Sequence, residues 1–252
     1  MNQLRHIFSW SAKSIQSFLS FIYFKVTLKR FYLLWLASVL GAVAVLPYAT
    51  TLASIELSTA VLLATLIQAS IIYGVLIFFG IIFAENANFQ ITSSKQCIAP
   101  SIISGLVVGL VLKLLDHFIL KHHVNILMNT LPHVDFSYRM LASFYGAINE
   151  EVLCRLFCVS LVALLLQKVT NLREKFVAVL SISFCALLFA VGHLPMLYKI
   201  VVNPNIYDIV RILFLNGFAG MIFGLLYWRY GLMAAMLSHF VADLVVHVFW
   251  IF

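Results

Sequence analysis

Two adjacent acidic residues, Glu150 and Glu151, lie inside a strongly hydrophobic stretch of the chain, with Arg155 one helical turn further on. An acid or base at the centre of a bilayer costs about 2.5–3.5 kcal/mol, so such residues face a protein interior or a water-filled cavity and mark functional sites. Glu151 and Arg155 are four residues apart and can pair on one helix face. Glu150 is rotated from Glu151 by about 100° and faces a different neighbour. We interpret Glu151–Arg155 as a structural ion pair and Glu150 as the carboxylate available for chemistry; the alternative is a salt bridge beside a protonated, inert glutamate.

Two histidines and a third acid lie in later apolar segments. His193 follows the apolar run 184–192, and His239 precedes Asp243 by four residues in the last apolar segment. On a helix this spacing puts the imidazole and the carboxylate on one face, where they can hydrogen-bond or share a ligand. Polar side chains also join membrane helices without doing chemistry. Together with Glu150, however, they are the groups that a hydrolytic site needs to activate water.

The composition is that of a polytopic membrane protein. Of the 252 residues, 63% are hydrophobic and 10% are charged, and the mean hydropathy is +1.06. Soluble domains average about 45–50% apolar and about 25% charged residues. The apolar segments are continuous runs rather than alternating patterns, which favours helices over a β-barrel.

The apolar runs predict an all-α transmembrane bundle. Because a span needs about 20 apolar residues, we expect about seven spans, with a range of six to eight. They are placed at 31–53, 58–84, 99–120, 137–167, 176–194, 207–228 and 231–252. The fourth would be about 45 Å long as one continuous helix, so it must tilt, break or protrude. In the sixth, Gly217, Gly220 and Gly224 predict a face that packs closely against another helix.

The predicted spans do not place the chemical residues at one depth. Counting the rise per residue puts Glu150 near mid-membrane, His193 toward the outer end and His239 nearer the inner end. These side chains therefore converge only if the helices tilt, break or begin at other residues.

The N-terminal segment is basic and aromatic. Before the first acidic residue, Glu56, the chain carries five basic residues: Arg5, Lys13, Lys25, Lys29 and Arg30. They alternate with aromatic residues, a pattern that predicts a cytoplasmic helix in the interface of an anionic membrane rather than a nucleic-acid-binding arm. We divide the chain into this arm (1–30), accessory transmembrane helices (31–135) and a catalytic helical core (136–252).

Three motifs follow one another on separate predicted helices: Glu150-Glu151-x-x-x-Arg155, Phe189-x-x-x-His193 and His239-x-x-x-Asp243. In order and spacing they resemble the motifs of the CAAX prenyl protease and bacteriocin-processing (CPBP, or Abi) intramembrane endopeptidases. The segment 227–239 is also similar to the approach to the third motif in bacterial members. The resemblance covers about residues 140–252.

The resemblance implies a helical bundle around a membrane-embedded endopeptidase site in a bacterial plasma membrane. The excess of Lys and Arg in the N-terminal arm predicts that the N-terminus lies in the cytoplasm. The implied partners are the lipid bilayer and a membrane-embedded or lipidated protein or peptide substrate. By analogy, Glu150 and His193 would activate a water, and His239 with residue 243 would stabilise the oxyanion. Glu151 and Arg155 would support the site.

One residue departs from the family pattern. Many members have Asn at the last motif position, whereas this chain has Asp243, which suits orienting His239 or binding a metal. A glutamate-and-histidine mechanism needs no cofactor and is favoured. A metallo-endopeptidase remains the alternative, in which Glu150, His193, His239 and Asp243 would ligate zinc.

Two non-proteolytic functions also fit buried acids and histidines. One is a transporter or proton-relay protein, which inverted repeats or paired broken helices would favour; neither is evident in the sequence. The other is an immunity protein that keeps the protease fold without activity. The intact set of acids and histidines argues against this second alternative.

Overall fold

The structure is a computed structural model that describes residues 28–120, 134–201 and 203–249. The predicted interfacial helix at 1–30 lies outside the described residues except for its last three positions. The end of the predicted last span, 250–252, also lies outside them.

The described chain forms helices joined by short connections and contains no strand within these ranges. Its helices, in order, are α1 (Leu28–Ala44), α2 (Leu46–Ala53), α3 (Thr59–Asn86), α4 (Ile98–Leu115), α5 (Phe136–Tyr145), α6 (Ser160–Val169), α7 (Glu174–Gly192), α8 (Leu194–Ile200), α9 (Ile206–Tyr230) and α10 (Leu232–Asp243). Turns of π-helix extend α4 over Asp116–Leu120 and α10 over Leu244–Phe249, and two more join α5 to α6 over Gly146–Glu150 and Val152–Val159.

Six helical segments are long and apolar enough to cross a membrane: Leu28–Ala53, Thr59–Asn86, Lys95–Phe118, Phe136–Val169, Glu174–Lys199 and Ile206–Tyr230. The seventh predicted span is a shorter apolar helix, Leu232–Val248, in the described part of the chain. Large apolar side chains such as Leu33, Leu40 and Ile67 are more than half exposed on the outside of the bundle, where lipid would cover them. The predicted polytopic helical bundle is confirmed.

The fourth span contains two of the π-helical turns, in which the helix is widened. Phe136–Val169 is helical over all of its 34 residues, and the π-helical turns cover Gly146–Glu150 and Val152–Val159. A π-helical turn takes up an extra residue, and such turns are frequent at functional sites. Glu150 is the last residue of the first widened turn, and Glu151 lies between the two.

Close helix contacts hold α7 and α9 together. A Cβ atom on Gly220 would lie 3.2 Å from Ala186, and one on Gly224 would lie 2.5 Å from Ile182. The face predicted from these small residues therefore packs against α7, because only glycine allows the backbones to approach so closely. This contact fixes the end of α7, where His193 follows.

Helix α10 is held at its start and along its length. Gly231 precedes it with φ 92°, a conformation that favours glycine, and the amide of Leu232 donates to the carbonyl of Gln90 at 3.1 Å. Along α4, a Cβ atom on Gly105 would lie 2.5 Å from the carbonyl oxygen of Ser238. Since Ser238 is next to His239, the α4–α10 contact positions a residue of the candidate site.

Gly105→Ala is expected to lower the stability of the protein, because the new methyl group meets backbone of α10 that cannot rotate away. Overpacking of this kind costs about 1–3 kcal/mol, more than the gain of about 1 kcal/mol from replacing a helical glycine. Thermal unfolding in detergent measures the change. Gly192→Ala is the matched control, because a Cβ atom there meets nothing within 4 Å; equal melting temperatures for the two variants would contradict the packing argument.

Candidate active site

A carboxylate–guanidinium–imidazole cluster lies at the centre of the bundle. Glu151 is fully buried, and its Oε1 atom is 2.9 Å from Nη1 of Arg155 and 2.7 Å from Nδ1 of His239. Nη2 of Arg155 donates to the carbonyl oxygen of Gly220 at 3.0 Å. The predicted Glu151–Arg155 pair is therefore present, and the same carboxylate oxygen also fixes the ring of His239.

The other ring nitrogen of His239 faces two further acids. Nε2 lies 3.9 Å from Oε2 of Glu150 and 3.6 Å from Oδ1 of Asp243. The side chains of Glu150 and Asp243 are 26% and 19% exposed, whereas that of Glu151 is 0% exposed. These separations exceed a direct hydrogen bond and are of a length that a water molecule or a substrate oxygen can bridge.

The carboxylate that orients His239 is Glu151 rather than Asp243. The spacing of four residues correctly makes His239 and Asp243 neighbours, but the hydrogen bond at Nδ1 comes from the fourth span. Asp243 instead lies beside Nε2, together with Glu150. The interpretation of Asp243 as the carboxylate that orients His239 is thus replaced by one in which Asp243 borders Nε2, the nitrogen that faces Glu150.

Aromatic rings enclose the cluster. The ring of Phe223 stacks on His239 at 4.5 Å between centroids, and the ring of Phe189 meets His239 edge-on at 6.2 Å. The guanidinium of Arg155 lies 5.0 Å from the Phe189 centroid and 5.6 Å from the Phe223 centroid. Rings at these distances attract the cation and keep water from the ion pair, which strengthens the electrostatic interactions within the cluster.

His193 lies at the end of α7 and is joined to the cluster through Phe189. Its Nδ1 atom is 2.8 Å from the carbonyl oxygen of Phe189, and because a carbonyl only accepts, Nδ1 donates and Nε2 is left available. The rings of Phe189 and His193 are 4.7 Å apart. The structure thus brings together Glu150, His239 and Asp243, and places His193 next to a residue that touches His239.

Gly146 forms a wall of the site that the sequence motifs did not indicate. A Cβ atom there would lie 2.5 Å from Oδ2 of Asp243 and 3.3 Å from Nε2 of His239. Only glycine therefore allows α10 to bring these two side chains against the fourth span. Its position four residues before Glu150, on the same helix face, is the signal that could have identified it.

The zinc alternative concerns Glu150, His193, His239 and Asp243. Among the described residues, no group of three or more His, Cys, Asp or Glu side chains is placed to hold a metal ion. Nδ1 of His239 is bound to Glu151, and Nε2 lies 3.6 Å from Asp243 and 3.9 Å from Glu150, whereas two ligands that are each about 2.0–2.2 Å from one zinc ion lie about 3.4 Å apart. The zinc alternative therefore stays a prediction.

Comparison with known proteins agrees with the motifs. Residues 132–245 match the family model described as Type II CAAX prenyl endopeptidase Rce1-like. This segment belongs to the CPBP family. The matched segment excludes α1 to α4 and includes the four residues of the candidate site: Glu150, His193, His239 and Asp243. The predicted family is therefore confirmed for the residues that carry the three motifs. No curated protein and no solved structure matches the chain.

The match of residues 132–245 to this family agrees with the six apolar spans, and the protein is an integral membrane protein. The family is one of intramembrane proteases that act on membrane-associated substrates. The cluster described above lies within the family segment, at its π-helical turns.

Gly146→Ala is expected to lower proteolytic turnover by about tenfold or more, because the added methyl group displaces Asp243 and His239, and small displacements in an active site cost this much. The measurement is the rate of substrate cleavage by the purified variant alongside its melting temperature. Gly217→Ala is the matched control, since its Cβ atom would lie 3.8 Å from Ala190, an ordinary contact. Full activity of Gly146→Ala would show that this wall is not needed.

Proposed function

We propose that the protein is an intramembrane endopeptidase that hydrolyses a peptide bond of a membrane-embedded or lipidated protein by general-base attack of water. The observation that carries this proposal is the placement of Glu150 beside Nε2 of His239, 3.9 Å apart, while Glu151 binds the opposite nitrogen. A transporter site needs no such fixed imidazole facing a partly exposed acid.

In the proposed reaction, Glu150 is the general base. Its carboxylate takes a proton from water as the water oxygen attacks the carbonyl carbon of the scissile bond. General bases contribute about 10²–10⁴-fold when they lie within hydrogen-bonding reach of the attacking water. Glu150 is suited to this because its carboxylate is partly exposed, and because it has no direct hydrogen bond within the described chain to occupy it.

His239 is the proposed donor to the oxyanion. In its protonated form, the ring donates from Nδ1 to Glu151 and from Nε2 to the carbonyl oxygen as negative charge develops there. A donor that is already oriented needs no reorganisation during the reaction, which is the main source of such stabilisation. Asp243, 3.6 Å from Nε2, borders the same position and helps to hold the imidazolium.

The reaction is completed by transfer of the proton on Glu150 to the leaving amine, as the bond between the carbonyl carbon and the nitrogen breaks. We propose that His193 assists through Nε2, which its hydrogen bond to Phe189 leaves facing away from the backbone. Each proton taken from water is thereby returned to a product, and the residues are regenerated. The mechanism uses only side chains of this chain.

The central test compares neighbouring glutamates. Glu150→Gln is expected to reduce cleavage by at least about 10²-fold while leaving the melting temperature unchanged. Glu151→Gln is expected to lower both, because it leaves the buried Arg155 without its counter-charge, at a cost of about 3–5 kcal/mol. Glu174→Gln, on the exposed first turn of α7, is the control for loss of a carboxylate.

The substrate for this assay is found by comparing membrane proteomes of cells that carry wild type or Glu150→Gln, since an uncleaved substrate accumulates only in the second. Cleavage of that substrate by purified protein in vesicles then gives the rates. Normal cleavage by Glu150→Gln would refute the assignment of the base. Equal stability of Glu151→Gln and wild type would refute the structural role of the second glutamate.

A further inference from the structure

An accessory span outside the family segment contacts the residue that precedes the candidate base. Asn149 lies within the π-helical turn Gly146–Glu150 and is fully buried. Its Nδ2 atom donates to the carbonyl oxygen of Ser38 in α1 at 2.8 Å, and Ser38 is also fully buried. Since the family match covers residues 132–245, a direct hydrogen bond joins the turn that carries the candidate base to a helix that the match does not include.

The contact between α1 and this turn is closely packed. A Cβ atom on Gly41, one helical turn after Ser38, would collide with Oδ1 of Asn149 and would lie 3.8 Å from Cα of Tyr145. Glycine at position 41 therefore allows the backbone of α1 to come close enough for the hydrogen bond at Ser38. The amide of Asn149 has little room to change its rotamer, because α1 bounds both of its polar atoms.

The hydrogen bonding of Asn149 is incomplete for a residue that only stabilises the fold. Its Oδ1 atom is buried and accepts no hydrogen bond from the described residues. A buried polar atom left unpaired is destabilising, whereas an apolar side chain of similar size would fill the same space without this cost. The unpaired oxygen thus favours a positional role for the amide over a purely stabilising one.

The same π-helical turn is also held at its first residue. Gly146 lies against the side chains of Asp243 and His239 in α10. The turn is therefore fixed by α10 at its first residue and by α1 at its fourth, Asn149, and Glu150 is its fifth and last. Because π-helical turns are rare departures from regular helix geometry, these two contacts determine where the backbone of Glu150 lies relative to the imidazole.

We propose that Asn149 is a positioning residue, whose hydrogen bond to α1 holds the π-helical turn so that Glu150 is within reach of the attacking water. Helix α1, an accessory span, is thereby required for the geometry of the reaction centre. This inference rests on the proposed function, because the placement of Glu150 matters to the reaction only if Glu150 acts as the base.

The test uses Asn149→Ala, Gly41→Ala and the double variant of the full-length protein, assayed in vesicles on the substrate that accumulates with Glu150→Gln. The first change removes the hydrogen bond and the second displaces the amide. Each is expected to lower kcat by about ten- to hundredfold, the loss that follows from a small misplacement of a reacting group, while KM stays as in wild type. The double variant should lose less than the product of the single losses, because both changes act through one hydrogen bond.

Two matched controls should keep the kcat of wild type. Asn216→Ala also removes an amide from a span, but Nδ2 of Asn216 donates within its own helix, to the carbonyl oxygen of Ile212 at 2.9 Å. Gly74→Ala also adds a methyl group between α1 and α3, but its Cβ atom would lie 3.6 Å from Trp35, an ordinary contact.

The two test variants act from different helices, so either one tests the proposal if the other does not accumulate. Wild-type kcat in Asn149→Ala, with active wild type, would overturn the positioning role and leave the proposed function intact. A loss of activity that disappears on cooling well below the melting temperature, or that Asn216→Ala shares, would overturn it in favour of a stabilising role. Wild-type protein that cleaves no substrate would overturn both proposals.

Discussion

The site depends on one carboxylate oxygen, Oε1 of Glu151, which binds both Arg155 and His239. Arg155 also reaches the carbonyl of Gly220 and lies between two phenyl rings, so the cluster joins the fourth span to α7, α9 and α10. Inside a membrane the ionic groups have no water to return to, and breaking such a pair leaves a buried charge at a cost of about 3–5 kcal/mol. The same contact that stabilises the bundle therefore also sets the orientation of the imidazole.

Two adjacent glutamates can have different roles because the helix turns them into different surroundings. Glu151 is enclosed by a guanidinium and an imidazole and has no exposed surface, whereas Glu150 is partly exposed and faces Nε2 of the same histidine. Environment rather than residue type decides which acid is structural and which can exchange a proton. Helix α1 adds to this division, because the carbonyl oxygen of Ser38 accepts a hydrogen bond from Asn149, the residue next to Glu150.

The sequence predicted the features that depend on local spacing. The spans follow from runs of apolar residues, the Glu151–Arg155 pair from a separation of four, and the α7–α9 contact from the glycines of α9. Contacts between distant segments could not be predicted: Glu151 and His239 are 88 residues apart, and Ser38 and Asn149 are 111 residues apart. Counting rise per residue set Glu150 and His239 at different depths because it assumed straight spans of regular pitch, whereas the fourth span has two π-helical turns.

The most direct test of the central claim is an experimental structure of the Glu150→Gln variant with an uncleaved substrate bound. The account predicts that the scissile carbonyl oxygen lies about 2.7–3.1 Å from Nε2 of His239, where an oxyanion donor must be. It also predicts that residue 150 faces the carbonyl carbon and that Nδ1 of His239 remains on Glu151. A substrate bound away from His239, or a His239 ring released from Glu151, would contradict it.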